Sequence, residues 1–389
     1  MPCLVAESKP ASQLLLNINR QTYETPVKTK LNFLFLMLAL LAGVHPALAQ
    51  PTLGIAPAGN QSVLFWPLSF TNYVVQSTTN LASSNWVYAS DAFPVTAVTV
   101  SNTSPARFFR LSAVPAGMVL IPAGAFTMGD TLDGESDAIP TNVTVSAFYM
   151  DVNLVSYSQW QSVYSYATNH GYSFVNAGAG KAANHPVQTV DWYDTVKWSN
   201  ARSAQAGLTP VYYTDAGLTQ VYTNGEATTL YPNWAVSGYR LPTEAEWEKA
   251  ARGGLSGQRF PWGNLIGESQ ANYYGNTNLS YDLGPNGFNA IGSIGGTTPA
   301  TSPVGSFPAN GYGLYDMAGN IFEWCWDWYG TPYAGGSDPH GPTGPLSDRV
   351  LRGGDWFYGA YYGRCAYRFY GYSPDFAGYV IGFRCVRGL

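Results

Sequence analysis

Glycine and proline interrupt this chain so often that long regular elements have little room in it. The 389 residues include 42 glycines and 26 prolines, and the apolar runs between them are short. Glycine permits turns that other residues resist, and proline ends helices and strands. The sequence therefore predicts a loop-rich fold. Its 28 tyrosines and 12 tryptophans predict many rigid amphipathic side chains near the surface, as in recognition proteins or secreted loop-rich proteins.

Charge and hydrophobicity bound the class of protein. A hydrophobic fraction of 46% with only 11% charged residues is typical of a globular chain, and the length allows two or three domains. The formal net charge is -5, and no run of lysine or arginine forms a basic stripe. A nucleic-acid partner is therefore not expected.

The N-terminal 49 residues have the pattern of a secretory signal peptide. Two lysines precede an apolar run over 31–44, and alanines at positions 47 and 49 precede a cleavage site before Gln50. We predict a signal peptide over 1–49, no membrane span after its removal, and a secreted, periplasmic or cell-surface protein. A retained membrane anchor is the alternative, although the apolar run is shorter than the ~20 residues that a span needs.

Three cysteines remain after the signal region: Cys325, Cys365 and Cys385. An odd number in an oxidising compartment predicts one disulfide and one free thiol. Cys365 with Cys385 is the preferred pair, and the alternative is that both are reduced and buried.

Two patterns divide the mature chain. Residues 50–113 have short alternating apolar runs separated by Gly, Asn and Ser, which predicts a small all-β module of sandwich type. It contains no histidine or cysteine, so we expect attachment or spacing as its role. Residues 114–116 are the predicted linker, and 117–389 mix short strands, helices and glycine turns in an α+β domain.

Three helices and one hairpin are predicted in the second region. The helices are expected over 156–165, over 191–201, and from an N-cap at Thr243 to the glycine pair at 253–254. Glu246, three residues after Thr243, suits a capping box. Residues 211–222 are the predicted hairpin.

Several blocks of the second region occur in the order typical of one family. They are GMVLIPAG at 117–124, FTMG at 126–129, PVQTVDW at 186–192, YRLPTEAEWE at 239–248, AARGG at 250–254, FPWGN at 260–264, GYGLYDMAGN at 311–320 followed by Glu323 and Trp324, RGG at 352–354 and GFR at 382–384. Together they resemble the formylglycine-generating enzyme (sulfatase-modifying factor) family over about 117–389. The resemblance implies an irregular α+β domain related to C-type lectins, here preceded by the small β module.

The resemblance also implies structural calcium. Calcium prefers carboxylate and carbonyl oxygens. The first expected site has the carboxylates of Asp316 and Glu323 and the carbonyls of Gly319 and Ile321, in positions that match the family's ligands. The alternative is that both carboxylates make only turn or helix-end hydrogen bonds.

A second calcium site is expected further upstream. It would use Asn272, the carbonyl of Tyr273 and the carboxylate of Asp282, with Asn286 as an alternative to Asp282.

The family's oxidation of a cysteine to formylglycine needs copper(I) held by two thiolates after the double glycine. Soft copper(I) requires such soft ligands, and no cysteine lies between Gly354 and Arg364. Tyr358 stands about where the first cysteine is expected, and Cys365 alone is a poor copper site. Copper is therefore not expected, although a true oxidase or a copper-independent protein-modifying enzyme remains the competing hypothesis.

The family's iron-dependent sulfoxide synthase branch is excluded by the residues. It needs a histidine-rich domain, but the mature chain has only three histidines, His170, His185 and His340, which lack metal-ligand spacing.

Seven tyrosines lie among the 26 residues 355–380. Exposed tyrosine interleaved with glycine is typical of binding surfaces. We therefore predict a ligand-binding face for an unknown protein, peptide or glycan, formed by Trp356, Tyr358, Tyr361, Tyr362, Tyr367, Tyr370, Tyr372 and Asp375. The alternative is that half of these rings pack between loops. Framework salt bridges are expected for Arg364, Arg368 and Arg384.

A sharper hypothesis concerns diversification. Some C-type-lectin-fold proteins vary near the C-terminus by adenine-specific mutagenic retrotransposition, which produces Tyr, Phe, Gly, Ala, Val, Ser and Asp. Residues of these types occupy 357–363 and 376–380. The leading hypothesis is a secreted, non-catalytic binding protein. The first alternative is an enzyme, and the second is a diversified variable protein.

Overall fold

The computed structural model describes residues 16–17, 51–82, 86–89, 95–101, 107–292 and 300–389. Contacts divide the chain into two compact units, Met1–Val114 and Pro115–Leu389. The division falls within the predicted linker, 114–116. Apart from 16–17, the predicted signal peptide lies outside the described residues. Within the described part of the chain, no helix is long and apolar enough to cross a membrane.

The first unit is a small β-sandwich, as the alternating pattern predicted. One sheet has the order β2-β3-β6 and the other β1-β7-β4-β5, with every pairing antiparallel. Leu64 and Val98 from the first sheet pack with Val75 and Phe109 from the second in one buried core. The strands are β1 (Leu16–Asn17), β2 (Gly54–Ala58), β3 (Gln61–Phe65), β4 (Tyr73–Thr78), β5 (Val87–Tyr88), β6 (Ala97–Ser101) and β7 (Phe108–Ala113).

The described residues of the second unit form three α-helices among many short strands and long loops, which agrees with the predicted irregular α+β fold. Its larger sheets have the orders β14-β21-β11-β8, β19-β17-β20 and β18-β10-β9. The strands are β8 (Met118–Ile121), β9 (Gly124–Met128), β10 (Thr141–Val145), β11 (Phe148–Asp151), β12 (Tyr212–Tyr213), β13 (Tyr231–Pro232), β14 (Tyr239–Arg240), β15 (Tyr274–Gly275), β16 (Gly287–Phe288), β17 (Phe322–Trp328), β18 (Gly336–Ser337), β19 (Arg349–Arg352), β20 (Ile381–Gly382) and β21 (Val386–Arg387).

The three predicted helices are confirmed, and side chains cap each of them. The helices are α1 (Tyr157–Thr168), α2 (Trp192–Gln205) and α3 (Glu244–Ala251). Ser156 caps the N-terminus of α1, and Asp191 caps that of α2. Thr243 and Glu246 form the predicted capping box on α3, which satisfies N–H groups that the first turn leaves free.

The predicted hairpin over 211–222 is present, but it forms only part of a larger arrangement. The N–H of Thr214 donates to the carbonyl of Gln220, and the N–H of Tyr222 donates to that of Tyr212. β12 also pairs with β13, a partner that the sequence did not indicate.

Stacked aromatic rings join the helices to the C-terminal block. The rings of Trp160 on α1 and Trp198 on α2 lie parallel with centroids 5.7 Å apart. The ring of Phe383 meets both edge to face, at 6.0 and 5.2 Å. All three side chains are buried. Aromatic packing of this kind fixes the GFR block against both helices.

A network of buried arginine–carboxylate pairs connects α3 to the C-terminal segments. Glu248 accepts from Arg252 at 2.7 Å and also from Arg352, and the Arg368 guanidinium contacts both oxygens of Glu244 at 2.6 and 2.8 Å. Arg384 makes a two-point contact with Glu323, and Arg364 pairs with Asp133 and Glu135. The predicted framework role of Arg364, Arg368 and Arg384 is confirmed.

The predicted disulfide between Cys365 and Cys385 is wrong. Cys325, Cys365 and Cys385 are unpaired, fully buried thiols, so the alternative of buried reduced cysteines holds. Cys365 lies beside Arg259, whereas Cys385 lies on the α2 side, with its Sγ 3.5 Å from the Ser199 hydroxyl. The two thiols therefore pack against different parts of the domain.

Replacing Glu248 tests how strongly this network stabilises the domain. We expect Glu248→Gln to lower the free energy of unfolding by about 3–5 kcal/mol, because two buried guanidinium groups would lose their carboxylate. Urea unfolding of the full chain measures it. The matched change at an exposed glutamate, Glu226→Gln, is expected to stay within about 0.5 kcal/mol. Equal effects of the two variants would contradict a stabilising role for the network.

Candidate functional site

A pocket of about 260 Å³ opens within the tyrosine-rich segment, and we call it the aromatic pocket. Its lining comes from three stretches of the chain: residue 189, the loop at 357–358 and the loop at 372–380. The lining residues are Thr189, Phe357, Tyr358, Tyr372, Phe376, Ala377, Gly378, Tyr379 and Val380.

The first wall is held by a side-chain turn after the double glycine. Asp355 Oδ1 accepts the N–H groups of Phe357 and Tyr358 at 2.8 and 2.7 Å. An aspartate that bonds its own backbone in this way fixes a tight turn. The carbonyl of Tyr358 accepts from the N–H of Tyr274 at 3.0 Å. Phe357 and Tyr358 are therefore positioned by backbone contacts on both sides.

The second wall is tied to the core through carbonyl groups. The Gly378 carbonyl accepts from the N–H of Thr189, and the Val380 carbonyl accepts from the N–H of Phe322 in β17. Phe322 and Val380 are buried, whereas Phe376 and Tyr379 remain exposed. The loop is thus anchored at its base and presents two rings to solvent.

The rings around the pocket make both perpendicular and stacked contacts. The ring of Phe357 is perpendicular to those of Tyr358 (88°, centroids 5.4 Å apart) and Tyr379 (90°, 6.4 Å). Tyr372 and Phe376 stack at 4.2 Å. Phe357, Phe376 and Tyr379 are 41%, 39% and 54% exposed, which is unusual for large apolar side chains that sit together.

Two further exposed rings continue this surface and were missed by the sequence analysis. Tyr274 and Phe288 pair edge to face at 4.8 Å, and the Phe288 centroid lies 6.0 Å from that of Phe357. They are brought there by the β15–β16 pairing. The only sequence signal was a pair of aromatic residues beside glycines, since both lie outside the tyrosine-rich segment.

The structure distributes the eight predicted ligand residues over different environments. Tyr358 and Tyr372 line the pocket, and the half-buried Trp356 ring contacts that of Phe357 at 5.6 Å. Asp375 is exposed next to Phe376 in the chain. The remaining four pack among neighbouring rings outside the pocket: Tyr361, Tyr362 and Tyr367 against one another, and Tyr370 against Tyr329 at 4.3 Å.

Burial raises the pKa values of two groups near the pocket, Tyr358 and Asp355. Burial, the hydroxyl of Tyr372 and the charge of Asp355 together raise the pKa of Tyr358. Asp355 is itself buried, which raises its pKa to about 7 although two backbone N–H groups stabilise the ionised form. Its Oδ2 has no hydrogen-bond partner among the described residues.

The three thiols are unsuited to ionise. Burial raises the pKa of Cys365 to about 12 and that of Cys385 to about 11, and it raises that of Cys325 well above its ordinary value. None of them is among the residues that line the aromatic pocket. Because the thiolate is the form that binds metals and attacks substrates, these cysteines lack the environment of reactive ones.

The first predicted calcium ligands do lie in one buried turn. Asp316 is buried, with Oδ2 accepting from the Gly305 N–H at 2.7 Å, and its pKa is raised to about 6 by burial despite the nearby Arg384. Gly319, with φ of 78°, forms the turn. Both oxygens of Glu323, however, accept from Arg384, at 2.7 and 3.0 Å. Asp316 Oδ1 also accepts from the Asn320 side chain at 3.4 Å. A cation here would have to share Asp316 with these donors and Glu323 with Arg384, and the described residues contain no group of three or more His, Cys, Asp or Glu side chains that could hold a metal ion.

The second predicted site is arranged differently from the expectation. Tyr273 contacts Asp282 through its hydroxyl, which donates to Oδ1 at 2.5 Å. The N–H groups of Asn276 and Gly284 donate to the same carboxylate. The Asn272 side chain instead donates to the carbonyl of Ala300. These residues do not fit a calcium site, because Asp282 already has three donors and Asn272 points elsewhere.

Comparison with known proteins identifies the family. Residues 106–389 match the model of the sulfatase-modifying factor enzyme 1-like domain. The chain is 35% identical to the formylglycine-generating enzyme of Mus musculus over 292 residues, which covers 69% of this chain and 74% of that protein. It is 34% identical to that of Thermomonospora curvata over 306 residues, covering 69% and 92%.

A solved structure shows the same fold. Treponema denticola variable protein 1 superposes with a TM-score of 0.54 at 29% identity, covering 70% of this chain and 95% of that one. The family blocks, the irregular α+β domain and these similarities agree. The chain belongs to the sulfatase-modifying factor enzyme 1-like (FGE-sulfatase) family.

Proposed function

We propose that this protein is a non-catalytic member of the family that binds a ligand through the aromatic pocket. The main support for the proposal is the set of residues found between Gly354 and Arg364. Where thiolates would hold copper, the chain has no cysteine, and Phe357 and Tyr358 form a pocket wall instead.

The residues around the pocket do not supply the chemistry of an oxidase. Copper(I) needs soft thiolate ligands, and Cys365, the nearest cysteine in the chain, is fully buried with a raised pKa. The backbone carbonyl of Cys365 accepts from Arg352, so this residue is also part of the framework.

The exposed rings favour binding. Burying apolar surface contributes about 25 cal/mol per Å², and rigid aromatic side chains lose little entropy when they are covered. Because the pocket walls are fixed through Asp355 and Gly378, little ordering is needed on binding. The partner we propose is a protein, peptide or glycan met outside the cytoplasm, in keeping with the predicted signal peptide.

The competing oxidase hypothesis is tested directly. The purified protein is incubated with copper and a Cys-x-Pro-x-Arg peptide, and mass spectrometry follows the peptide, with the mouse enzyme as positive control. We expect no formylglycine, because the thiolate pair is missing. Aldehyde that disappears in Cys365→Ser would overturn the proposal.

Binding is tested on glycan and peptide arrays. Tyr379→Ala removes an exposed ring of the pocket, and Tyr370→Ala is the matched control, since Tyr370 is 55% exposed and lies outside the pocket. We expect Tyr379→Ala to bind its ligands roughly tenfold or more weakly, which is in the range of a binding hot spot. Tyr370→Ala should bind them with unchanged affinity.

We also propose that the turn at Asp316 binds structural calcium, through Asp316, Glu323 and the carbonyls of Gly319 and Ile321. An ion there would neutralise the buried Asp316 carboxylate and stabilise the turn. We do not propose calcium binding at the second predicted site, formed by Asn272, Tyr273 and Asp282.

Calcium removal tests that site. A saturating ion stabilises the folded state by about 2–4 kcal/mol, which for a domain of this size raises the melting temperature by several degrees, roughly 5–10 °C. We expect the melting temperature to fall on adding a chelator and to recover with calcium but not with magnesium. In Asp316→Ala the response to calcium should be lost. An unchanged melting temperature in the unmodified protein would rule the site out.

A further inference from the structure

The aromatic pocket has a lining that suits one class of ligand. Five of its nine lining residues are aromatic: Phe357, Tyr358, Tyr372, Phe376 and Tyr379. None of the nine is lysine, arginine or histidine. The ring of Phe357 is perpendicular to those of Tyr358 and Tyr379. The lining therefore presents aromatic rings in at least two orientations.

Carboxyl groups lie close to the pocket. Asp355 lies behind the first wall and acts on Tyr358, and Asp375 is exposed beside Phe376. On the side of Thr189, burial raises the pKa of Tyr193, the charge of Arg349 lowers it, and the smaller effects of Glu226, Asp375 and Asp191 raise it.

The guanidinium group that lowers the pKa of Tyr193 belongs to Arg349, and it already contacts other groups. Arg349 is buried between the rings of Trp192 and Trp328, at 3.7 and 3.5 Å from their centroids. Its Nη1 donates to the carbonyl of Trp326. It is turned toward these rings, so it does not supply a cation to the pocket lining.

We propose that the aromatic pocket binds an organic cation, with a quaternary ammonium group in the pocket against the rings that line it, among them Phe357, Tyr358 and Tyr379. The proposal rests on the binding function proposed above and names the chemical class of the ligand. The negative faces of aromatic rings attract such a cation, and a quaternary ammonium has no hydrogen-bond donors that would need partners.

The lining favours this ligand over a neutral sugar. Its side-chain polar groups are the three tyrosine hydroxyls and the hydroxyl of Thr189, and the Tyr358 and Tyr372 hydroxyls interact with each other. A sugar buried here would leave several of its own hydroxyl groups without partners, at a cost of about 1–3 kcal/mol each.

Choline and its neutral isostere 3,3-dimethylbutan-1-ol test the proposal by calorimetric titration. The two have the same shape and differ in charge. We expect choline to bind at least about twofold more tightly, the smallest difference that a cation–π contribution predicts. Tyr379→Leu should weaken choline binding, Tyr379→Phe should retain most of it, and the control Tyr370→Leu should leave it unchanged.

The acidic rim gives an independent readout. Asp375→Asn should weaken choline binding and reduce its dependence on salt, because screening acts on the exposed carboxylate, while the neutral isostere should be unaffected. Equal affinities for choline and the isostere would overturn the cation assignment and leave the binding function intact. The same conclusion follows if a neutral methyl glycoside binds and choline does not. If Tyr379→Leu binds every probe and every array ligand as the unmodified protein does, the proposed binding function fails as well.

Discussion

The buried arginine–carboxylate pairs around α3 are the interaction on which the rest of the second unit depends. Glu244 and Glu248 lie one turn apart on this short helix and hold Arg368, Arg252 and Arg352. Strands of two to seven residues cannot organise a domain by backbone pairing alone. Burial alone would raise the pKa of Glu248, but the guanidinium groups of Arg252 and Arg352 lower it below its ordinary value. Glu248 is therefore ionised in the interior and balances the charge of its arginine partners.

This framework explains how the C-terminal segment can carry a new surface. Arg352, Arg364 and Arg368 are each fixed by carboxylates, and Gly354 in a left-handed conformation approaches Gly363 so closely that a side chain there would collide with backbone. The loop between these points is held at both ends. Within it Phe357 and Tyr358 form a pocket wall, whereas Ala360 packs into a buried cluster with Phe260 and Tyr273.

The same change of residues alters what the site can do. A thiolate pair at this place would give redox chemistry, whereas the aromatic rings offer apolar area beside the exposed carboxylate of Asp375. The remaining cysteines are buried, where ionisation is disfavoured, and they serve as small apolar side chains. Binding without catalysis is the function that we propose for this site.

Local signals were sufficient for the helices, because Ser156, Asp191 and Thr243 cap helices through neighbours three residues away. The sequence blocks, in their order along the chain, were sufficient to predict the family. The alternating apolar residues in 50–113 were sufficient to predict the β-sandwich. Long-range contacts decided the rest. Spacing did not show that Cys365 and Cys385 pack on different sides of the domain, or that Phe288 meets Phe357, since partners far apart in the chain are brought together only by tertiary packing. The sequence by itself determined the elements and the missing thiolates, and the tertiary structure decided which aromatic rings share one pocket.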